Sequence, residues 1–123
     1  MIAVIFEVQP HPDKKDAYLD TAAALRPQLE GIEGFVSIER FESLAQPGKL
    51  LSLSYWRDEQ AVIRWRNIES HRSAQSMGRN RIFSDYTLNV AQVIRRYGMN
   101  DRDQAPDDSR LVHDAGDKPG IDK

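Results

Sequence analysis

The 123-residue chain contains no cysteine, which excludes disulfide bonds, thiolate metal ligands and cysteine nucleophiles. No apolar run approaches the roughly 20 residues that a membrane-spanning helix needs. The N-terminal residues lack the basic segment and the small-residue cleavage site of a signal peptide. With a net charge of −2, the chain also lacks the basic surplus of nucleic-acid-binding proteins. We therefore expect a cytoplasmic protein whose partners are neither nucleic acids nor membranes.

The sequence also lacks the motifs of several common enzyme classes. It contains no glycine-rich dinucleotide or phosphate loop, no G-x-S-x-G nucleophile elbow and no H-E-x-x-H zinc motif. Two of its three histidines, His11 and His113, flank the central part of the chain without any metal-ligand spacing. We therefore predict no metal site.

Charged and apolar residues are unevenly distributed along the chain. Residues 100–123 are rich in aspartate and poor in apolar side chains, whereas residues 1–99 have nearly balanced charge. A segment with so few apolar residues cannot bury a core of its own. We therefore expect one folded domain over residues 1–99 and a flexible, polar, acidic tail over residues 100–123.

The apolar pattern of residues 1–99 predicts the element order β-α-β-β-α-β. A strand over 1–8 is followed by a helix that begins near Asp13 and ends at Gly31, with Pro27 expected to kink it or to tighten its last turn. Strands over 35–41 and 50–56 form a hairpin, and Asp58 caps a second helix. A short third helix is expected between 67 and 78, and a last strand over 86–97 with a bulge at 90–91, where the apolar phase changes.

This order is typical of the ferredoxin-like fold, an α+β architecture whose antiparallel sheet carries its helices on one face. The strands are too apolar for the other face of the sheet to remain in water. A second copy of the sheet is the simplest cover, so we expect a homodimer.

Residues 55–79 read YWRDEQAVIRWRNIESHRSAQSMGR. This segment resembles the central signature of antibiotic biosynthesis monooxygenase (ABM) domains, as do GIEGF over 31–35 and VIRRY over 93–97. The resemblance covers residues 1–99 and implies a dimeric α+β barrel. It implies an activity like those of the family, which includes cofactor-free oxygenases of polycyclic phenols, quinol oxygenases and haem-degrading enzymes. The fold alone does not choose among them.

Two residues of this segment are the main functional candidates. His71 is a candidate catalytic base, because the pKa of an unperturbed imidazole lies near neutral pH. The alternative is a surface or interface histidine bonded to a carbonyl. Trp65 resembles the helix tryptophan that packs against porphyrin in haem-degrading members, but an amphipathic helix also buries an aromatic ring without any ligand.

The haem-degrading members combine a first-strand asparagine, this tryptophan and an axial histidine about ten residues later. Alignment on Trp65 places Gln75 at the axial position, and the first strand carries Glu7 instead of asparagine. His71 lies one helical turn before Gln75. The resemblance therefore implies an enzyme without a bound redox cofactor, with haem as the alternative.

The remaining candidates for substrate contact are Glu7, Gln75, Arg79 and Tyr86. Glu7 is either a pocket acid or base or a solvated strand residue, since a buried carboxylate needs a partner. Arg79 would stabilise an enolate or a carboxylate, or would remain solvated. Tyr86 would donate a phenolic hydrogen bond, or would be an aromatic residue at the barrel rim.

We therefore expect a small monooxygenase that uses O₂ to oxidise an aromatic, polycyclic or quinol-like molecule. Two alternatives stay open: a haem-degrading monooxygenase, and a non-catalytic barrel that binds a small ligand or acts in a stress response.

Overall fold

A computed structural model describes residues 1–75 and 82–114, with the backbone alone for residues 69–75. Its strands and helices are, in chain order, β1 (Ile2–Pro10), a 3₁₀ turn (Pro12–Lys14), α1 (Lys15–Glu30), β2 (Phe35–Glu42), β3 (Leu50–Trp56), α2 (Glu59–Gln75), β4 (Phe83–Gln92) and a last helical turn over 107–114. The chain divides into two compact units after Gln92.

The four strands form one sheet in the order β2-β3-β1-β4, and every pair of neighbours is antiparallel. Strands β1 and β2 are parallel with β3 between them, which is the split β-α-β arrangement of the ferredoxin-like fold. The predicted α+β class, element order and hairpin are therefore confirmed. Among the described residues, no helix is long and apolar enough to cross a membrane.

Both helices pack on the same face of the sheet. Strand residues alternate between faces, and the even-numbered residues of β1 point toward the helices. Ile2 and Val4 belong to a buried cluster with Leu29 of α1 and Val62 of α2, while Val8 packs in a second cluster with Tyr18 of α1. The opposite side, which we call the open face, contains a half-buried apolar group: Ile5, Leu51, Leu53 and Tyr55.

Three boundaries differ from the sequence predictions. Helix α2 is continuous from Glu59 to Gln75, so no separate helix begins at 67 or 70. Helix α1 begins at Lys15 and not at Asp13, because Asp13 belongs to the 3₁₀ turn that precedes the helix. Strand β4 covers Phe83–Gln92 instead of 86–97, whereas α1 runs through Pro27 to Glu30 and so ends beside Gly31, as predicted. The distortion expected at Pro27 stays a prediction.

The predicted bulge at 90–91 is also wrong. Pairing between β1 and β4 is regular from Ile2 opposite Gln92 to Gln9 opposite Asp85, and it shifts only at Pro10. Proline has no amide hydrogen for the ladder, which explains an irregularity at that end. The apolar phase changes in the sequence because both faces of β4 carry apolar residues. Val90 lies on the helix side, and Ala91 lies on the open face opposite Ala3.

The unit that follows Gln92 has a hydrogen-bond network of its own. The Arg102 guanidinium contacts the Asp114 carboxylate at 2.7 Å and donates to Ser109 Oγ at 2.7 Å. Arg110 donates to the carbonyl oxygens of Ala105 and Arg102, at 2.9 and 2.7 Å. Part of the predicted acidic tail is thus organised by arginine side chains. A domain boundary near residue 99 and a flexible tail stay predictions.

A close junction joins the beginning of β2 to the beginning of α2. Gly34 has a φ of +94°, and its carbonyl oxygen accepts a hydrogen bond from the Arg57 amide at 2.7 Å. A Cβ atom at Gly34 would lie 2.7 Å from the Cβ of Ala61, which is fully buried. Only glycine satisfies both the backbone conformation and the short approach to α2.

We predict that Gly34→Ala lowers the free energy of unfolding by about 1–3 kcal/mol, because alanine is strained at positive φ and collides with Ala61. Gly31→Ala is the matched control. Its φ is −84°, and a Cβ there would lie 3.7 Å from its nearest neighbours, the carbonyl oxygens of Pro27 and Gln28, which is an ordinary contact. Stability should therefore change by less than about 1 kcal/mol. Urea denaturation of the two variants measures both values. Equal losses would contradict the argument.

The same junction contains the cap of α2, as predicted. Asp58 Oδ1 accepts a hydrogen bond from the Ala61 amide at 3.0 Å, and Oδ2 accepts one from Arg57 Nε at 3.2 Å. The hydrogen bond from the Ala61 amide, and to a smaller extent the one from Arg57, stabilises the charged carboxylate. Together they hold the pKa of Asp58 below its ordinary value of 3.8.

We predict a pH-dependent stability difference between the wild type and Asp58→Asn. Because the folded pKa is lowered, the ionised Asp58 stabilises the fold above pH 3.8, and this stabilisation is lost as the pH falls through the folded pKa. Asparagine keeps the cap acceptor without the charge. The two unfolding free energies should therefore differ most at neutral pH and converge in acid, whereas Asp58→Ala should stay less stable throughout. A gap that is constant with pH would refute this.

Candidate active site

Strand β4 presents an incompletely covered apolar row on the helix side of the sheet. Tyr86, Leu88 and Val90 are opposite Val8, Phe6 and Val4 of β1, so they share the face on which the helices pack. Yet they are 46%, 43% and 47% exposed, whereas the helix-facing residues of β3 are all buried. We call the set Phe6, Tyr86, Leu88 and Val90 the β4 shelf.

Aromatic rings cluster at one end of this shelf. The ring centroid of Phe6 lies 5.9 Å from that of Phe83 and 5.5 Å from that of Tyr86, and Phe83 and Tyr86 are 5.9 Å apart. Tyr18 of α1 contacts Phe83 edge-on at 5.6 Å. These tilted and edge-on contacts hold the rings in fixed positions. The cluster would therefore offer preformed aromatic surface to a flat ligand.

Trp65 of α2 packs on the same side of the sheet as the shelf. Its ring stacks on the ring of Trp56, with centroids 5.5 Å apart and planes inclined by 28°. Trp65 is partly buried against the core cluster that includes Val4, and Val4 is the neighbour of Val90 across the strands. Two sequence-predicted residues, Trp65 and Tyr86, thus lie on the same side of the sheet.

The other candidates are placed differently. His71 and Gln75 belong to the last turns of α2, one helical turn apart, but their side chains lie outside the described part of the structure. Arg79 lies outside the described residues altogether. Glu7 is on the open face, where its carboxylate contacts Lys49 Nζ at 2.9 Å. The structure therefore does not bring Glu7 together with Trp65 and Tyr86.

The described shelf has a distinct chemical character. None of its four side chains carries a charge, and one of them, Tyr86, carries a hydroxyl. Apolar surface with a few polar groups is typical of small-molecule sites. Among the side chains that the structure describes (residues 1–68 and 82–114), no group of histidine and acidic residues is placed to hold a metal ion.

Sequence reasoning selected Tyr86 but missed the other members of the shelf. Leu88 and Val90 share the parity of Tyr86, which places all three on one face of a strand. Their even spacing along β4 was therefore a signal in the sequence that could have grouped them with Tyr86. Their exposure depends on where the helices lie over the sheet, which no local pattern indicates.

The family of the chain is shown by comparison with known proteins. The sequence model of the antibiotic biosynthesis monooxygenase (ABM) family matches residues 1–77. "Jasmonate monooxygenase ABM" of Pyricularia oryzae is 46% identical over 101 residues, which are 82% of this chain and 47% of that protein. The chain thus spans about half the length of this relative. The uncharacterized protein YqjZ of Bacillus subtilis is 28% identical over 76% of this chain and 80% of its own length.

Solved structures share the fold at low sequence identity. Rv0793 of Mycobacterium tuberculosis superposes with a TM-score of 0.68 at 18% identity, covering 79% of this chain and 98% of its own. A MhuD mutant with two manganese protoporphyrin IX molecules bound per active site has a TM-score of 0.65 at 13% identity, covering 80% and 99%. Together with the match over residues 1–77, the fold and the sequence show that this chain belongs to the antibiotic biosynthesis monooxygenase family.

Proposed function

We propose that the chain is a monooxygenase that oxidises a flat, electron-rich molecule on the β4 shelf. The observation that carries this proposal is the half-exposed apolar row of β4, adjoining a fixed aromatic cluster, on the helix side of the sheet. Substrates of this class are anthrones, phenols and quinols. Their rings match an uncharged aromatic surface, and burial against it would remove them from water.

The proposed reaction needs a base and O₂. His71 would remove a proton from the activated carbon of an anthrone-like substrate. The resulting carbanion reduces O₂: one oxygen atom becomes the new carbonyl of the product, and the other leaves as water with the two hydrogens of the original CH₂ group. The protein would contribute orientation and an environment from which water is excluded. No bound redox group is needed for this balance.

The other residues would bind and orient the substrate. Trp65 would form a wall beside the shelf, and Tyr86 would contact the substrate at the aromatic end. Gln75 and Arg79 would interact with polar substituents, with the guanidinium stabilising a developing oxyanion. Glu7 takes no part in this proposal, because it is ion-paired on the open face.

Jasmonate is the second candidate substrate, and the relative at 46% identity supports it. Jasmonate is a carboxylate, so its binding needs a cation next to an apolar surface. The described shelf has no cation, and Arg79 is the candidate that would supply one. An Arg79→Gln variant should therefore weaken jasmonate oxidation more than anthrone oxidation.

We predict that an oxygen electrode detects O₂ consumption when the protein is mixed with anthrone or a hydroquinone, or with jasmonate and an added two-electron donor such as NADPH, which would reduce the second oxygen atom to water. His71→Ala should lower turnover of the accepted substrate roughly 100- to 10,000-fold, the usual contribution of a general base. His113→Ala, in the separate C-terminal unit, is the matched control and should keep full turnover. Full turnover by His71→Ala would overturn the base assignment. Inactivity of the wild type toward the whole panel would favour a non-catalytic ligand-binding role.

Haem is less well matched to the described residues. The shelf offers neither an imidazole for the iron nor a cation for the propionates, and glutamine stands at the expected axial position 75. We predict that haemin added to the protein shows no shift of its Soret band. A stoichiometric shift that His71→Ala abolishes would instead favour the haem-degrading alternative, which the MhuD neighbour keeps open.

We also propose that two copies pair through the open face. Its apolar group (Ile5, Leu51, Leu53 and Tyr55) is half-buried, and Phe41 beside it is exposed. A second copy would remove this surface from water.

Light scattering at micromolar protein concentration should therefore give the mass of a dimer. Leu53→Glu should give a monomer, whereas Thr21→Glu on an exposed position of α1 should not. A monomeric wild type would contradict this proposal. A cytoplasmic location stays a prediction.

A further inference from the structure

A buried hydrogen bond lies beneath Trp65. Trp56 is 0% exposed, and its Nε1 donates to Ser54 Oγ at 2.9 Å. Ser54 is itself 2% exposed, on the helix-facing side of β3. A polar group in an apolar core is costly unless it is paired. The pair therefore satisfies both groups and selects one orientation of the Trp56 ring over its flipped alternative.

The Trp56 ring is held on more than one side. Phe35 meets it edge-on, with centroids 5.2 Å apart and planes inclined by 74°. Phe35 follows Gly34, whose close approach to Ala61 brings the start of β2 against α2. Trp65 stacks on the same ring at 5.5 Å. Of the three aromatic rings, Trp56 is the fully buried one, and Phe35 and Trp65 are partly buried around it.

The orientation of Trp65 therefore depends on residues that are far less accessible than Trp65 itself. A stacked ring follows the plane of its partner, because tilting it loses contact area and the favourable offset geometry. Ser54 fixes the plane of Trp56, and Trp56 in turn limits the plane of Trp65. A ligand on the shelf would meet the side of Trp65 that does not contact Trp56.

We propose that Ser54 and Trp56 are positioning residues, which hold the indole of Trp65 as a rigid wall of the substrate site. This inference rests on the proposed function in one respect, since a ligand must contact Trp65. Rigid support would lower the entropic penalty of placing a flat substrate between the wall and the shelf.

The first test measures the support without any ligand. The chain has two tryptophans, so indole–indole exciton coupling in its circular dichroism reports on the Trp56–Trp65 stack. Ser54→Ala removes the acceptor and should weaken the exciton signal. Ser52→Ala is the matched control, because Ser52 is also buried and lies two residues earlier on the same face of β3. Ser54→Thr, which keeps a hydroxyl, should restore the signal.

The second test measures how Ser54 affects ligand binding beside Trp65, with anthrone as the probe. Quenching of tryptophan fluorescence gives its dissociation constant, which Ser54→Ala should raise roughly 3- to 10-fold, the factor that one net hydrogen bond supplies. In turnover the same change should appear in KM more than in kcat. Trp56→Phe leaves Trp65 as the one tryptophan, which can be excited selectively at about 295 nm. Adding Ser54→Ala to Trp56→Phe should then cause no further loss, because the donor is already absent.

The outcomes separate the two proposals. An unchanged exciton signal in Ser54→Ala, or an equal change in Ser52→Ala, would contradict the claim that Ser54 orients Trp56 and Trp65. A weaker exciton signal with unchanged anthrone affinity overturns the role of Trp65 as a wall, and so does a wild type that binds no anthrone. If anthrone binds as predicted but the wild type consumes no O₂ with it, the monooxygenase proposal is refuted for this substrate class. The positioning inference would not be affected by that result.

Discussion

The pairing of β1 with two neighbours is the constraint on which the rest of the structure depends. β1 lies inside the sheet, with β3 on one side and β4 on the other, and its register with both is regular over seven or more residues. Because strand side chains alternate, this register determines the face of every residue on three strands. The helix side receives the aromatic cluster and the shelf. The open face receives the Glu7–Lys49 ion pair and the apolar group proposed to meet a second copy.

Much of the fold could be predicted because it follows from local patterns. Alternation and helical spacing indicated the element order, and Asp58 was correctly identified as the cap of α2. The errors concern places where tertiary structure decides. The phase change at Val90 was interpreted as a bulge, although it reflects a strand with apolar residues on both faces. The sequence from 67 onward suggested a helix break, but α2 runs through that region without interruption.

The candidate site was less predictable than the fold. Trp65 and His71 were selected through a resemblance to a family, since neither residue has a motif that compels chemistry. Glu7 lies on the other face of β1 from its neighbour Phe6, as the alternation of strand side chains requires. Its ionic partner, Lys49, lies at the far end of a hairpin and could not be inferred from the order of residues. The shelf itself depends on how the helices cover the sheet, which is a property of the whole packed domain.

The junction of Gly34, Arg57 and Asp58 has a mechanical consequence for the site. It anchors α2 at its N-terminal end, while His71 lies thirteen residues further along the same helix, about 20 Å away at the usual rise of an α-helix. A small rotation of α2 about its contact with Gly34 would therefore produce a larger displacement at the far end of the helix. A tilt of about 5° at that point would move the backbone of His71 by nearly 2 Å, which is enough to misalign the proton transfer proposed for this residue. In the proposed mechanism, the position of the base at one end of α2 would therefore depend on the absence of a side chain at Gly34, beside the other end.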